Sequence, residues 1–439
     1  MFVQNHLSFF VNHFEYVKFV FFVPKNYISF YTLPIPQLLC HPLLTCLFLL
    51  CYTDYHEKRR QSEHMDVELL MKNPLFSFVK SEIVLLLSLL LAVVSAFFVT
   101  PNMGYLDYID FNTLALLFCL MAVTAGAARL GVFSLLAEQL LSRVRTMRGL
   151  SLALCFLCFF SSMLITNDVA LITFIPFTIV VLNLSGQTRR LVPLAALETV
   201  AANLGSMLTP IGNPQNLYLF TFYKMEAIDF FSALLPYGLL SLALLIGSVV
   251  FIGKDSIGVR INRENVPTPA RWKYGLYALL FLLSLLTVFR VIPWPVTLTI
   301  TFLSLLLLDR FTLKQVDYSL LLTFLFLFIF IGNLGRIPAI HNALQGIVLG
   351  NETLVGVLAS QIFSNVPAAV LLSNFTQNAS ALLVGVNLGG LGTLIASMAS
   401  LISFKFVIKE GIKVRKYLYA FTWINVLFLA ANLLLWSIL

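Results

Sequence analysis

Ser161-Ser-Met-Leu-Ile-Thr-Asn-Asp-Val-Ala-Leu-Ile-Thr-Phe-Ile-Pro176 lies inside an apolar run that extends from Ser151 to Leu184. A single bilayer crossing takes about 20 residues, so this run is too long for one span. Thr166-Asn167-Asp168 interrupts it near the centre. Two half-length arms joined at a polar tip fit better than two full spans. Such a tip leaves backbone N–H groups at the start of the second arm and C=O groups at the end of the first, and lipid satisfies neither. Thr166 and Asn167 are residue types that cap helix starts. The stretch therefore predicts a re-entrant hairpin over 151–184, and with it a polytopic membrane fold.

Composition agrees. The chain has 439 residues, of which 59% are hydrophobic and only 11% charged, with a mean hydropathy of +0.92. A soluble domain carries about 25% charged residues to cover its surface; lipid removes that need. The net charge of +8 sits in short loops between apolar segments, as membrane topology requires, and does not point to nucleic acid. Cys155 and Cys158 form a C-x-x-C inside an apolar run, which reads as membrane packing. Of the histidines only His341 lies beyond residue 64, which leaves no histidine metal site for the membrane region.

Residues 1–64 are of another character, rich in Phe, Tyr and His and without a clean period. Their best apolar stretch, 38–50, is short for a span and contains His41 and Pro42. The expectation is an atypical extension upstream of a natural start at Met65 or Met71, the alternative being one extra helix; an intact mass decides between them. Beyond it, spans are read at 82–100, 111–130, 231–252, 274–289, 295–308, 318–334 and 417–435, with an amphipathic interfacial helix at 131–148. A second interrupted hairpin is read at 344–383, and broken helices at 191–222 and 384–404. If each hairpin enters and leaves on one side, every Lys and Arg from residue 72 onward except Lys224, Arg290 and Arg336 falls on the cytoplasmic side. The layout is an all-α membrane protein of about nine transmembrane helices plus two oppositely facing re-entrant hairpins and two unwound helices. It divides into inverted-topology repeats at 65–260 and 261–439, in a multi-pass protein of the cell inner (plasma) membrane.

The halves match where the helices break. Asn203-Leu-Gly205, Thr209 and Ile211 recur at one constant interval as Asn387-Leu-Gly389, Thr393 and Ile395, and the tip Thr166-Asn167 recurs as Ser364-Asn365. The stretch Asn203-Leu-Gly-Ser-Met-Leu-Thr-Pro-Ile-Gly-Asn-Pro-Gln-Asn216 holds two glycines and two prolines and cannot stay regular helix. Helix starts that meet at mid-bilayer carry about half a positive charge each and make an anion site without a full cation. Thr166, Asn167, Ser364, Asn365, Asn213, Thr209 and Thr393 are therefore the substrate-binding candidates. Unwound carbonyls near Asn203, Gly205, Asn387 and Gly389 are candidates for a coupling ion, Na⁺ or H⁺. Asp168 and Glu198 are carboxyls within apolar runs, a costly placement that marks function, and they join the coupling-ion candidates as cation ligands or proton carriers; the competing readings are a helix cap for Asp168 and an interfacial or helix-pairing role for Glu198. Arg336 reads as an interfacial anchor or an outer attractor of anions.

Ser161 to Pro176, Asn203 to Asn216, and Ser360-Gln-Ile-Phe-Ser-Asn-Val-Pro-Ala-Ala369 resemble the signature stretches of the arsenite-permease and citrate-transporter-like families. These belong to an ion transporter superfamily that includes sodium–dicarboxylate symporters. The resemblance covers residue 82 to the carboxyl end. In the dicarboxylate branch each tip reads Ser-Asn-Thr; here the third positions are Asp168 and Val366, and Asn-Asp at the first tip is closer to the arsenite-permease branch. The resemblance implies elevator-like motion, a homodimer, a small anionic substrate such as a di- or tricarboxylate or arsenite, and no cofactor beyond a coupling ion. The alternative is a Na⁺/H⁺ antiporter with no organic substrate. No phosphate-binding loop for a pump and no nucleophile–base pair for an enzyme is present.

Overall fold

The computed structural model describes two strands near the amino terminus and residues 82–132, 144–250, 252 and 270–439. It separates into two compact units, 1–81 and 82–439. In the first, β1 (Tyr16–Phe22) pairs antiparallel with β2 (Ile28–Pro34), with Phe22 opposite Ile28 at the turn end. Both strands are rich in β-branched and aromatic residues. The apolar stretch 38–50 and the two candidate start methionines lie outside the described residues.

The second unit is the all-α membrane fold that the sequence leads one to expect. Its helices are α1 (Ile83–Ala96), α2 (Phe111–Arg129), α3 (Met147–Ile165), α4 (Asn167–Leu184), α5 (Leu191–Ser206), α6 (Pro214–Phe222), α7 (Ala227–Val250), α8 (Arg271–Val288) and α9 (Trp294–Leu308). After these come α10 (Arg310–Leu313), α11 (Tyr318–Gly335), α12 (Pro338–Val348), α13 (Glu352–Phe363), α14 (Asn365–Ser373), α15 (Ala379–Leu388), α16 (Met398–Lys409) and α17 (Val414–Trp436). Seven of them are long and apolar enough to cross a membrane, or eight if the sharply bent pair α12–α13 counts as one span. The helix at 83–96 falls short of the span read at 82–100, whereas that at 294–308 covers the span read at 295–308. Val99-Thr100-Pro101 disfavours continuation of α1, because a residue before proline is pushed out of the helical region. Most of the amphipathic segment 131–148 lies outside the described residues.

Caps set many of the boundaries. The Asp110 carboxylate accepts the Thr113 amide at 3.0 Å, and Asp317 accepts that of Leu320 at 2.9 Å. Thr146 accepts from the Gly149 amide at 3.2 Å and starts α3 four residues earlier than the apolar run suggested. The arms of the first hairpin are therefore 19 and 18 residues long, more than half-spans, whereas those of the second are 12 and 9. The second hairpin occupies 352–373; the wider range 344–383 also takes in the end of α12 and the start of α15.

Helix α5 is the axis of the unit. Every one of its residues except Pro193 is buried, and it packs on α3, α4, α16 and α17. A helix buried all round and rich in alanine lets neighbours approach closely. The outer helices α8 and α9 present leucine and phenylalanine outward, Leu307 being 79% exposed, as a lipid-facing surface does.

One ionic knot fastens the ends of three helices. Asp309, after α9, accepts from Arg129 of α2, from Lys273 of α8 at 3.2 Å and from the Tyr277 hydroxyl at 3.1 Å. Burial by itself raises the Asp309 carboxyl, but these donors outweigh it and hold its pKa below the usual aspartate range. Its stabilising contribution is complete above the ordinary aspartate pKa of about 4 and is lost as pH falls through the lowered native value. D309A leaves two cations facing each other and is expected to cost about 3 kcal/mol, read as a lower melting temperature in detergent. The acid-induced loss expected of the parent protein should be smaller in that variant.

Candidate functional site

The two hairpin tips share one backbone geometry. Thr166 adopts φ 72°, ψ 151° and Ser364 adopts φ 73°, ψ 155°. This region is nearly reserved for glycine and costs of order 1–3 kcal/mol for other residues. The expected side-chain caps are not formed at either tip: neither hydroxyl accepts from the first turn of the following helix. At this φ each residue serves as the corner of the chain. The starts of α4 and α14 thus carry amide donors without side-chain caps. The Asn167 Oδ1 accepts the Asp168 amide at 3.0 Å, and the Asn365 amide donates to the Ala396 carbonyl at 2.9 Å.

Helix α5 unwinds at Met207, after Gly205, so Asn203 and Gly205 are still helical. Chain 207–213 then leads to α6, whose start is capped by Asn213 accepting the Asn216 amide at 3.0 Å. Helix α15 unwinds after Leu388, and 389–397 leads to α16. The two breaks interlock. Asn203 accepts from Asn167 Nδ2 at 2.9 Å and from Ser397 Oγ at 3.1 Å, and donates to the Gly390 carbonyl at 3.4 Å. Asn387 accepts from Asn213 Nδ2 at 3.2 Å and donates to Asn216 Oδ1 at 2.6 Å. The Asn365 Nδ2 lies against Gly390, which brings the second tip to the same cluster. All six asparagines, 167, 203, 213, 216, 365 and 387, are buried, so each unmade bond there would be costly.

Equivalent residues make equivalent contacts. The interval that separates Asn203 from Asn387 also separates Asn213 from Ser397, and the bonds Ser397–Asn203 and Asn213–Asn387 correspond. The Thr209 hydroxyl donates to the Met163 carbonyl at 2.5 Å, and that of Thr393 to the Gln361 carbonyl at 3.4 Å. A Cβ on Gly205 would stand 2.0 Å from the Phe159 carbonyl oxygen and 2.7 Å from Ser162 Oγ, and one on Gly389 would stand 2.5 Å from Ser360 Oγ. Ser162 and Ser360, like Met163 and Gln361, are separated by the interval that relates the two tips.

Thr209 and Thr393 therefore spend their hydroxyls on the hairpin backbones, and Gly205 serves a close helix approach. The Gly389 carbonyl accepts from Gln361 Nε2 at 2.8 Å, and the Gln361 Oε1 accepts the Thr393 amide at 2.9 Å. Asp168 stands in the first turn of α4 with its Oδ1 buried and without a hydrogen-bond partner. Glu198 is not part of the cluster; among the described residues the one side-chain partner of its carboxyl is Thr178 of α4, at 2.6 Å. Ser397, Asn216 and Gln361 were not singled out from the sequence. Extending the constant interval from Asn213 finds Ser397, and the other two stand in the quoted stretches. Arg336 lies over the Tyr108 ring at 4.9 Å, as an anchoring arginine does. Among the described residues no His, Cys, Asp and Glu group is placed to hold a metal ion.

Comparison with known proteins bears on the whole chain. The family model described as "Citrate transporter" matches residues 69–402. An uncharacterized transporter of Methanocaldococcus jannaschii is 40% identical over 257 residues, 58% of this chain and 70% of the relative. The inner membrane protein YbiR of Escherichia coli is 33% identical over 325 residues, 71% of this chain and 84% of the relative. The silicon efflux transporter LSI3 of Oryza sativa is 37% identical over 132 residues, 29% of this chain and 26% of the relative. The buried polar cluster thus lies within a multi-pass membrane protein, and the chain belongs to the citrate transporter family, whose members are transporters and not enzymes.

Proposed function

We propose that this transporter moves a small anion, a di- or tricarboxylate or an inorganic oxyanion such as arsenite, coupled to Na⁺ or H⁺. The observation that carries the reading is the pair of helix starts at Asn167 and Asn365, both without side-chain caps and both tied to one buried asparagine cluster. The dipoles of the two helix starts favour negative charge, and the side-chain amides around them favour oxygen-rich solutes. The cluster holds no lysine or arginine. That favours a compact oxyanion over a tricarboxylate, because each helix start offers only about half a charge. The matched intervals and contacts support two inverted repeats, and alternating access by elevator-type displacement of the hairpins is the motion such a design serves. The test is uptake of labelled citrate, succinate and arsenite by purified protein in liposomes under imposed Na⁺ and H⁺ gradients. Uptake of one of them driven by a gradient is the expected result; cation exchange with no anion uptake overturns it.

That second outcome is the Na⁺/H⁺ antiporter, which the unpartnered Asp168 oxygen favours. D168N is expected to retain solute binding while losing stimulation by an ion gradient, measured as equal uptake with and without the gradient.

A further inference from the structure

Glu198 has no place in the cluster described above, yet it is the most secluded acid of the described residues, with no solvent exposure. Its Oε1 accepts from the Thr178 hydroxyl at 2.6 Å, and its Oε2 is buried with no partner. The titratable side chains that face it are Cys155 and Cys158 of α3 and Tyr417 of α17. Tyr417 is itself engaged with Ser403 of α16 at 2.9 Å. Lys405 and Lys409 of α16 and Arg189, just before α5, are exposed. Among the described residues none makes an ion pair with Glu198.

A charged carboxylate in this setting would have one hydroxyl donor and no counter-ion, at a cost of several kcal/mol. A sodium ion would want about six oxygen ligands of the kind hard cations take, and this pocket supplies one carboxyl and one hydroxyl. A proton satisfies the charge with no further ligand. The two groups that define the pocket lie on α4, the second arm of the first hairpin, and α5, the first half of the broken helix. Any motion that parts these elements wets the carboxyl.

We propose that Glu198 is a proton-binding site of this transporter, distinct from the asparagine cluster. It holds one proton while α4 and α5 are closed and releases it to water when they part. The proton-carrying role rests on the transport reading above; the protonation state does not.

Infrared difference spectra of the lipid-reconstituted protein test the protonation without any solute. The expected result at neutral pH is a protonated carboxyl C=O band that is absent in E198Q and moved to higher frequency in T178V, which removes the donor to Oε1. A spectrum unchanged by E198Q, in a variant with the parent melting temperature, overturns the proposal. T178V keeps the carboxyl and serves if E198Q does not fold; an unmoved band there overturns it equally. A pH-sensitive dye inside liposomes then reads proton movement during solute uptake. Movement lost in E198Q supports the carrier role, and movement equal to the parent overturns it. If no solute is transported at all, the infrared result still stands by itself.

Discussion

Replacement of Asn203 by alanine is expected to abolish transport. The Asn203 amide joins the first hairpin tip, through Asn167, to the second break, through Ser397 and Gly390. Its removal leaves several buried polar groups unpaired at about 1–3 kcal/mol each. A total near 3 kcal/mol corresponds to roughly a hundredfold loss. Asn387→Ala removes the mirror contacts to Asn213 and Asn216 and should act as strongly. Asn203→Asp keeps an acceptor for Ser397 but sets an oxygen against the Gly390 carbonyl, so it should not rescue. Initial uptake rates in liposomes, beside melting temperatures, read these effects; near-normal uptake in N203A would remove the cluster from the transport path.

The second large effect concerns packing. Gly205→Ala would place a Cβ 2.0 Å from the backbone oxygen of Phe159, and backbone has no rotamer to escape by. Helices α3 and α5 must then separate, and overpacking of this kind costs about 3 kcal/mol or more. At the matched position Gly389 the Ser360 hydroxyl at 2.5 Å can rotate away, but the Ser360 Cβ at 2.6 Å and the Gly385 carbonyl oxygen at 2.9 Å cannot. Both variants are expected to lose melting temperature and yield, G205A the more because its backbone clash is the closer. Equal losses would contradict the close approach described for α3 and α5.

The polar tips and the paired Asn-Leu-Gly were readable from the sequence because each sets hydrogen-bonding or helix-breaking residues inside apolar runs, where few other reasons exist for them. The break between α5 and α6 was readable as well, because glycine and proline forbid helix there. What stayed hidden depends on rotation about helix axes. Nothing in the order of residues says that Thr209 and Thr393 turn to the hairpin backbone or that Gln361 holds the carbonyls of the second break. The length of α3 was misjudged because a threonine cap, not hydropathy, starts it.

The shared corner geometry of Thr166 and Ser364 has a mechanical corollary. A residue in that sparse backbone region has no adjoining low-energy basin to swing into while it bears a Cβ. The bonds of Asn167 and Asn365 hold each corner in place. Such a tip behaves as a stiff wedge rather than a flap. Bending it would forfeit those bonds, whereas moving the wedge together with the segments that hold Asn203 and Ala396 keeps them, so compliance has to reside at the roots of the two arms.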